Sequence, residues 1–200
     1  MKKIAFKTIC LTALVALSVS NAQAADIDKG QGIAKRVCAA CHGKNGISRV
    51  PVFPNLSGQN ESYILKQLND FKSGSRKSNN MQGVVNNLSE QDMMDVSAYY
   101  AAHGTIKDTS TSVSSSLVKK VTEKLNVCIP CHNKNGISKD DKFPNLAGQK
   151  DRYLQKELER FKSGKRKDAT MSAIVSQLDK KDIKNPSKYF SKAGKVEINK

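Results

Sequence analysis

The pentapeptide Cys38-Ala39-Ala40-Cys41-His42 is matched later in the chain by Cys128-Ile129-Pro130-Cys131-His132. C-x-x-C-H is the attachment signal for a c-type haem. Two cysteines three apart on one helical turn reach the two vinyl groups of a single porphyrin as thioethers. The histidine that follows meets the iron from one face. What fills the opposite axial position then decides the chemistry: a protein ligand leaves electron transfer, and an open position admits small ligands and oxygen or peroxide chemistry. Disulfides and zinc knuckles also use paired cysteines, but neither accounts for a histidine after each pair.

The two motifs lie 90 residues apart, and the same shift superimposes much more of the chain. Phe53-Pro54-Asn55-Leu56 falls on Phe143-Pro144-Asn145-Leu146, Gly58-Gln59 on Gly148-Gln149, and Tyr63 on Tyr153. Phe71-Lys72-Ser73-Gly74 falls on Phe161-Lys162-Ser163-Gly164, Arg76-Lys77 on Arg166-Lys167, and Tyr99 on Tyr189. Without a gap, about 30 of the 67 positions from Cys38 to Gly104 are identical to their mates. This is duplication of a whole domain; a solenoid repeat has a period of about 20–50 residues.

The duplication also selects the second axial ligand. Beyond the first residues of the chain the methionines are Met81, Met93, Met94 and Met171, and the shift pairs only Met81 with Met171. Each follows its own C-x-x-C-H and a predicted helix, in what reads as a polar loop (75–82 in the first copy). A thioether suits haem iron, and His/Met ligation raises the reduction potential. Met93 and Met94, neighbours on a predicted helix, read as core filler.

Residues 1–24 have the form of a secretory signal. Lys2, Lys3 and Lys7 precede an apolar stretch, Ile9–Val19, too short to span a bilayer, and Ala22-Gln23-Ala24 is an A-x-A cleavage site. The mature chain is expected to begin at Ala25, to lack Cys10 and any membrane-spanning segment, and to lie in the periplasm. Its four cysteines are those of the two motifs. Each unit, about 80–95 residues without tryptophan, is near the size where a small core is marginal; a covalently held porphyrin supplies apolar core that the side chains do not.

The organisation expected is two haem domains, 25–105 and 117–200, joined by a Ser/Thr-rich linker over 106–116. In the first, Asp28 caps a helix with Ile33, Val37 and Cys41 on its inner side. Gly43 and Gly46 break that helix. Asn60 or Ser62 caps a second helix carrying Tyr63, Ile64, Leu68 and Phe71, and Gly74 ends it. Ser89 and Asp92 form a capping box before a last helix with Val96, Tyr99 and Tyr100 inside; His103, without a counterpart, belongs to the surface. In the second domain Leu117, Val121, Leu125 and Cys128 mark the first helix. Pro130 there is tolerable only in a final turn. Pro186, in the place of Val96, is expected to kink or split the last helix and to loosen packing at that end. Asn133 replaces Gly43.

Two C-x-x-C-H domains of this length, each with F-P-N-L, G-Q, a helix ending F-K-S-G, an Arg and then Met, resemble the dihaem cytochrome c4 family over nearly the whole mature chain. The resemblance implies an all-α protein of two tandem class I cytochrome c folds, face to face about a pseudo-two-fold axis, with two covalently bound haem c groups. It implies attachment through Cys38, Cys41, Cys128 and Cys131, axial ligation by His42, Met81, His132 and Met171, and no enzymatic activity. It implies that the Pro54 and Pro144 carbonyls accept a hydrogen bond from the rings of His42 and His132, and that Arg76 and Arg166 pair with haem propionates. Finally, it implies a periplasmic electron carrier fed by a quinol-oxidising complex or another donor and serving a haem–copper terminal oxidase. Two other functions fit the same motifs: a haem subunit of a larger dehydrogenase, such as a sulfide-oxidising flavoprotein complex, and a dihaem peroxidase, which requires one iron to lose its methionine.

Charge suggests where a partner docks. The chain has a formal net charge of +16, with 9 basic and 7 acidic residues over 25–105 (net +2) and 22 basic and 11 acidic over 106–200 (net +11). Nucleic acid is a poor partner for an exported haem protein. A field this uneven orients an approaching acidic redox protein or an anionic membrane surface. Lys150, Arg152, Lys156, Arg160 and Lys162 are the expected docking residues.

Overall fold

Asp26 caps the first helix, two residues earlier than expected: its carboxylate accepts hydrogen bonds from the Asp28 and Lys29 amides at 3.1 and 3.0 Å. The computed structural model describes residues 24–199, so the signal segment expected over 1–24, with Cys10, lies outside the described residues but for Ala24. Among the described residues no helix is long and apolar enough to cross a membrane. Helix α1 (Ile27–Ile33) runs into a π-helical turn (Ala34–Cys38) and then α2 (Ala39–His42). The wider turn advances the register by part of a residue. Val37, expected to face inward, is therefore 40% exposed, and Cys38 packs on the core instead. The rest of this half is α3 (Glu61–Lys72), α4 (Asn79–Val85) and α5 (Glu90–His103), the last opened by the Ser89–Asp92 capping box. Ile33, Ile64, Leu88, Met93, Val96, Tyr99 and Tyr100 form its core. Helix α1 approaches α5 so closely at Gly30 that a Cβ there would lie 2.1 Å from the Asp95 carbonyl oxygen. The ring of His103 stacks on Tyr99 and is half-buried, rather than free on the surface.

The second half repeats the plan as α6 (Ser115–Leu125), α7 (Ile129–His132), α8 (Asp151–Lys162), α9 (Ala169–Ser176) and α10 (Lys180–Ala193). The chain breaks its helix before Cys128, so Pro130 stands in the first turn of α7 and not in the last turn of a longer helix. A first-turn amide has no intrahelical partner to lose. Pro186 does not split α10, which is continuous, and the end expected to be loose is well packed: Ile183, Pro186, Ser187, Tyr189, Phe190 and Ala193 are all buried. One lost helical bond is outweighed by the burial of this face. Asn133 adopts φ +59°, matching φ +82° at Gly43, and its amide donates to the Ile137 carbonyl at 2.5 Å. With ψ +162° this is a conformation that glycine alone adopts freely, and the side-chain bond to Ile137 offsets the strain. Replacing Asn133 with Ala keeps the strain and loses the bond, at an expected cost of about 1 kcal/mol, whereas Gly is expected to be neutral or stabilising, by urea denaturation.

The segment expected as a linker is ordered, and its first residues complete one strand of the one sheet among the described residues. Strand β1 (Gly104–Asp108) pairs antiparallel with β2 (Gly194–Ile198), Gly104 opposite Ile198 and Ile106 opposite Val196. A 3-10 turn (Ser110–Ser112) then leads to α6, which begins at Ser115. The two strands are mates under the 90-residue shift, so their pairing places a two-fold axis at Ile106 and Val196. An antiparallel bridge between Arg76 and Arg166 lies on the same axis. The two halves are thus two copies of one helical fold facing one another across a pseudo-dyad.

Candidate functional site

Both C-x-x-C-H motifs open onto one cavity of about 1550 Å³ that spans the two halves, and Met81 and Met171 also line it. A single small-molecule pocket is typically about 300–1,000 Å³, so this one has room for two large groups. Its walls include Leu68, Val84, Val96, Leu154, Leu158 and Ile174; Leu68 and Val96 are on the inner faces that the apolar periodicity marks. An apolar cleft with a few polar groups suits a porphyrin, whose only charged parts are its carboxylates.

Each histidine is held by the same contact. His42 Nδ1 donates to the Pro54 carbonyl at 3.0 Å, and His132 Nδ1 to that of Pro144 at 3.0 Å. A carbonyl only accepts, so the proton is on Nδ1 and Nε2 keeps its lone pair for a metal. Both rings are buried, and burial lowers their pKa below the usual histidine value, which keeps them neutral. Burial pushes the Cys38 thiol upward and that of Cys128 to about 11. Redox-active C-x-x-C pairs show the opposite shift, and all four cysteines are unpaired.

The methionines do not lie in polar loops. Met81 is in the first turn of α4 and Met171 in that of α9. The cap of each short helix bonds the methionine's own amide: Ser78 Oγ accepts from Met81 N at 3.4 Å and Asp168 Oδ1 from Met171 N at 2.9 Å. The polar residues that look like loop in the sequence are caps, which fix the backbone from which each thioether projects.

Arg76 and Arg166 are buried where the halves meet, and their partners are protein groups that the sequence reading did not include. Arg76 donates through Nη1 to Gln67 Oε1 (2.7 Å) and through Nη2 to Tyr153 Oη (3.1 Å) and Glu157 Oε2 (2.7 Å). Arg166 donates through Nη1 to Glu157 Oε2 (2.8 Å) and through Nη2 to Tyr63 Oη (2.9 Å) and Gln67 Oε1 (2.7 Å). Each guanidinium also stacks over a ring, Phe71 and Phe161 respectively. Both arginines line the cavity.

The F-P-N-L and G-Q segments are the fastening between the halves. Asn55 N donates to Gln149 Oε1 at 2.8 Å, and Gln149 Nε2 returns a bond to Asn55 O at 2.9 Å. Asn145 and Gln59 make the same exchange at 2.7 and 2.9 Å. The side chains of Asn55 and Asn145 reach the Gly148 and Gly58 carbonyls, both at 3.0 Å. Asn55 and Asn145 each follow the proline that orients a histidine, so the fastening and the sites share one loop. Exact repetition of polar residues in both copies was the available signal for this interface.

The proposed docking residues divide. Arg152, Lys156 and Lys162 are exposed, whereas Lys150 and Arg160 are half-buried. Arg160 donates across the interface to the Lys77 carbonyl, and the Lys162 ammonium bonds the Leu178 carbonyl. Arg160 is thus an interface residue rather than a free surface charge.

Comparison with known proteins agrees with this geometry. The family model for cytochrome c matches residues 27–102. Cytochrome c4 from Pseudomonas aeruginosa is 35% identical over 194 residues, covering 91% of this chain and 96% of that protein. A thiosulfate dehydrogenase electron acceptor from Stutzerimonas stutzeri is 31% identical over 207 residues, 94% of this chain and 95% of that protein. The crystal structure of reduced recombinant cytochrome c4 from Pseudomonas stutzeri superimposes with a TM-score of 0.76 at 35% identity, covering 85% of this chain and all of that one. Duplicated C-x-x-C-H motifs on one cavity, paired histidines and methionines, and likeness over nearly the full length converge: the chain belongs to the cytochrome c4 family, dihaem electron carriers with two covalently bound haem c groups.

Proposed function

We propose that this is a periplasmic electron carrier in which Cys38 and Cys41 hold one haem, Cys128 and Cys131 the other, and His42 with Met81 and His132 with Met171 take the axial positions. The observation that carries this reading is that both motifs and both matched methionines line one cavity, each histidine being held by Nδ1 with Nε2 free. The bound cofactor supplies a one-electron couple. The chain's own residues set how it is used. With a thioether and an imidazole from the chain held to each iron, no position would remain for oxygen or peroxide, and the bound groups would exchange electrons without making or breaking bonds. Pro54 and Pro144 strengthen the imidazole donors through Nδ1. Arg76 and Arg166, whose fork geometry suits carboxylates, are the groups on the cavity wall that fit the propionates.

The acceptor proposed is a terminal haem–copper oxidase, reached through the basic second half. The 31% identity to a thiosulfate dehydrogenase electron acceptor supports a second reading, service as the electron-accepting partner of a dehydrogenase. Stopped-flow mixing of the reduced protein with a haem–copper oxidase, and of the oxidised protein with thiosulfate dehydrogenase, distinguishes the two by which reaction is fast. Charge reversal at the exposed positions, Arg152→Glu with Lys156→Glu, is expected to slow the productive reaction at least tenfold at low salt and to flatten its salt dependence. An unchanged rate and unchanged salt slope would exclude docking at this surface.

A further inference from the structure

The pseudo-dyad is broken at a buried polar cluster where the halves meet. Positions 67 and 157 are mates under the 90-residue shift, yet one is Gln and the other Glu. Both side chains are buried in the same network. Gln67 Oε1 accepts from Arg76 and Arg166 at 2.7 Å each, and Glu157 Oε2 accepts from the same two guanidiniums at 2.7 and 2.8 Å. The geometry is symmetric and the charge is not. Among the protein groups of this network two guanidiniums share a single carboxylate, so the four side chains carry one more positive than negative charge. The groups around it are uneven too. In the first half Lys66 pairs with Asp70 at 2.6 Å; in the second, the mate of Asp70 is Arg160, with Nε 3.8 Å from Glu157 Oε1. All four members of the core line the cavity between the two C-x-x-C-H motifs.

We infer that Glu157 is the residue that sets the electrostatic balance between the two haem sites, and that the Gln67/Glu157 difference, rather than the axial ligands, distinguishes them. A positive charge near an iron favours its reduced form, which carries one positive charge fewer. The carboxylate of Glu157 opposes the two arginines, so it lowers both potentials from where the guanidiniums alone would hold them. Charges in a buried cluster are poorly screened: at an effective dielectric of about 20, a unit charge acting over roughly 10 Å changes a one-electron equilibrium by about tenfold. The inference rests on the placement of both haems along this cavity.

Potentiometric titration of the holoprotein, followed in the absorption spectrum, tests it. Glu157→Gln is isosteric, and its mate position already accommodates Gln, so the fold should survive. It is expected to raise the mean midpoint potential by about 59 mV, the equivalent of tenfold for one electron. Gln67→Glu, which makes the core neutral, is expected to lower it by a similar amount. The double variant Gln67→Glu/Glu157→Gln keeps the charge count and only moves the carboxylate across the dyad. Its mean is expected to stay with the parent while the separation between the two midpoints changes. If the single variants bind two haems and leave the potentials unmoved, or move them in the same direction, the inference is overturned. A double variant whose midpoint separation equals the parent's would overturn it as well. Haem content separates this from the underlying placement: a parent protein holding fewer than two covalent haems would refute the placement itself.

Discussion

Protein in which Cys38, Cys41, Cys128 and Cys131 are all replaced by alanine, and which therefore retains no covalent haem, is expected to lose most of its helical circular dichroism and to show no cooperative thermal transition. Each half is small enough that side-chain burial alone is marginal. The side chains that should supply the rest of the core instead line a cavity of about 1550 Å³. Without a porphyrin, Leu68, Val84, Leu154, Leu158 and Ile174 would face water or collapse the cleft. Each buried aliphatic side chain is worth about 1.5–3 kcal/mol, against a total stability of about 5–15 kcal/mol for a domain. Native-like helix content with a cooperative melt in the haem-free protein would show that the helices carry the fold alone.

The second large effect is expected at the fastening between the halves. Gln59→Ala removes the partner of both the amide and the carbonyl of Asn145, and Gln149→Ala does the same to Asn55. These backbone groups are buried, and each one left unsatisfied costs about 1–3 kcal/mol. Either substitution should destabilise the protein by about 2–5 kcal/mol. The two act on one interface and will not simply add. Urea denaturation of the double variant should divide into two transitions, one for each half, where the parent shows one. A single transition with an unshifted midpoint would mean that the β1–β2 ribbon and the arginine core hold the halves together without the glutamines.

The parts of this molecule that were legible in the sequence are those that depend on local spacing or on the repeat. The two C-x-x-C-H motifs, the pairing of Met81 with Met171, the Ser89–Asp92 capping box and the inner face of α3 each announce themselves within a few residues or through the 90-residue shift. Three features were not legible, for identifiable reasons. The π turn at Ala34–Cys38 leaves the apolar pattern intact while rotating its face, so Val37 reads as inward and is not. The β1–β2 ribbon joins segments about 90 residues apart, each only five residues long, too short for a period-two pattern to stand out as a strand. Pro186 reads as a helix breaker because propensity is local, whereas the burial that keeps α10 continuous is tertiary. The arginine core was half visible: Arg76 and Arg166 repeat, but their partners come from the opposite half, and no spacing rule connects Arg76 to Glu157.

The claim on which the function rests is that both irons are closed by protein on both faces. The most direct measurement is the far-red sulfur–iron absorption band of the oxidised holoprotein, recorded for the parent, for Met81→Ala and for Met171→Ala. The account predicts that the parent shows the band, that each variant keeps about half of it, and that each variant gains the ability to bind an added ligand at one iron. A parent without the band, or a variant that keeps it in full, would contradict the assignment of these two methionines and with it the reading of the protein as a closed electron carrier.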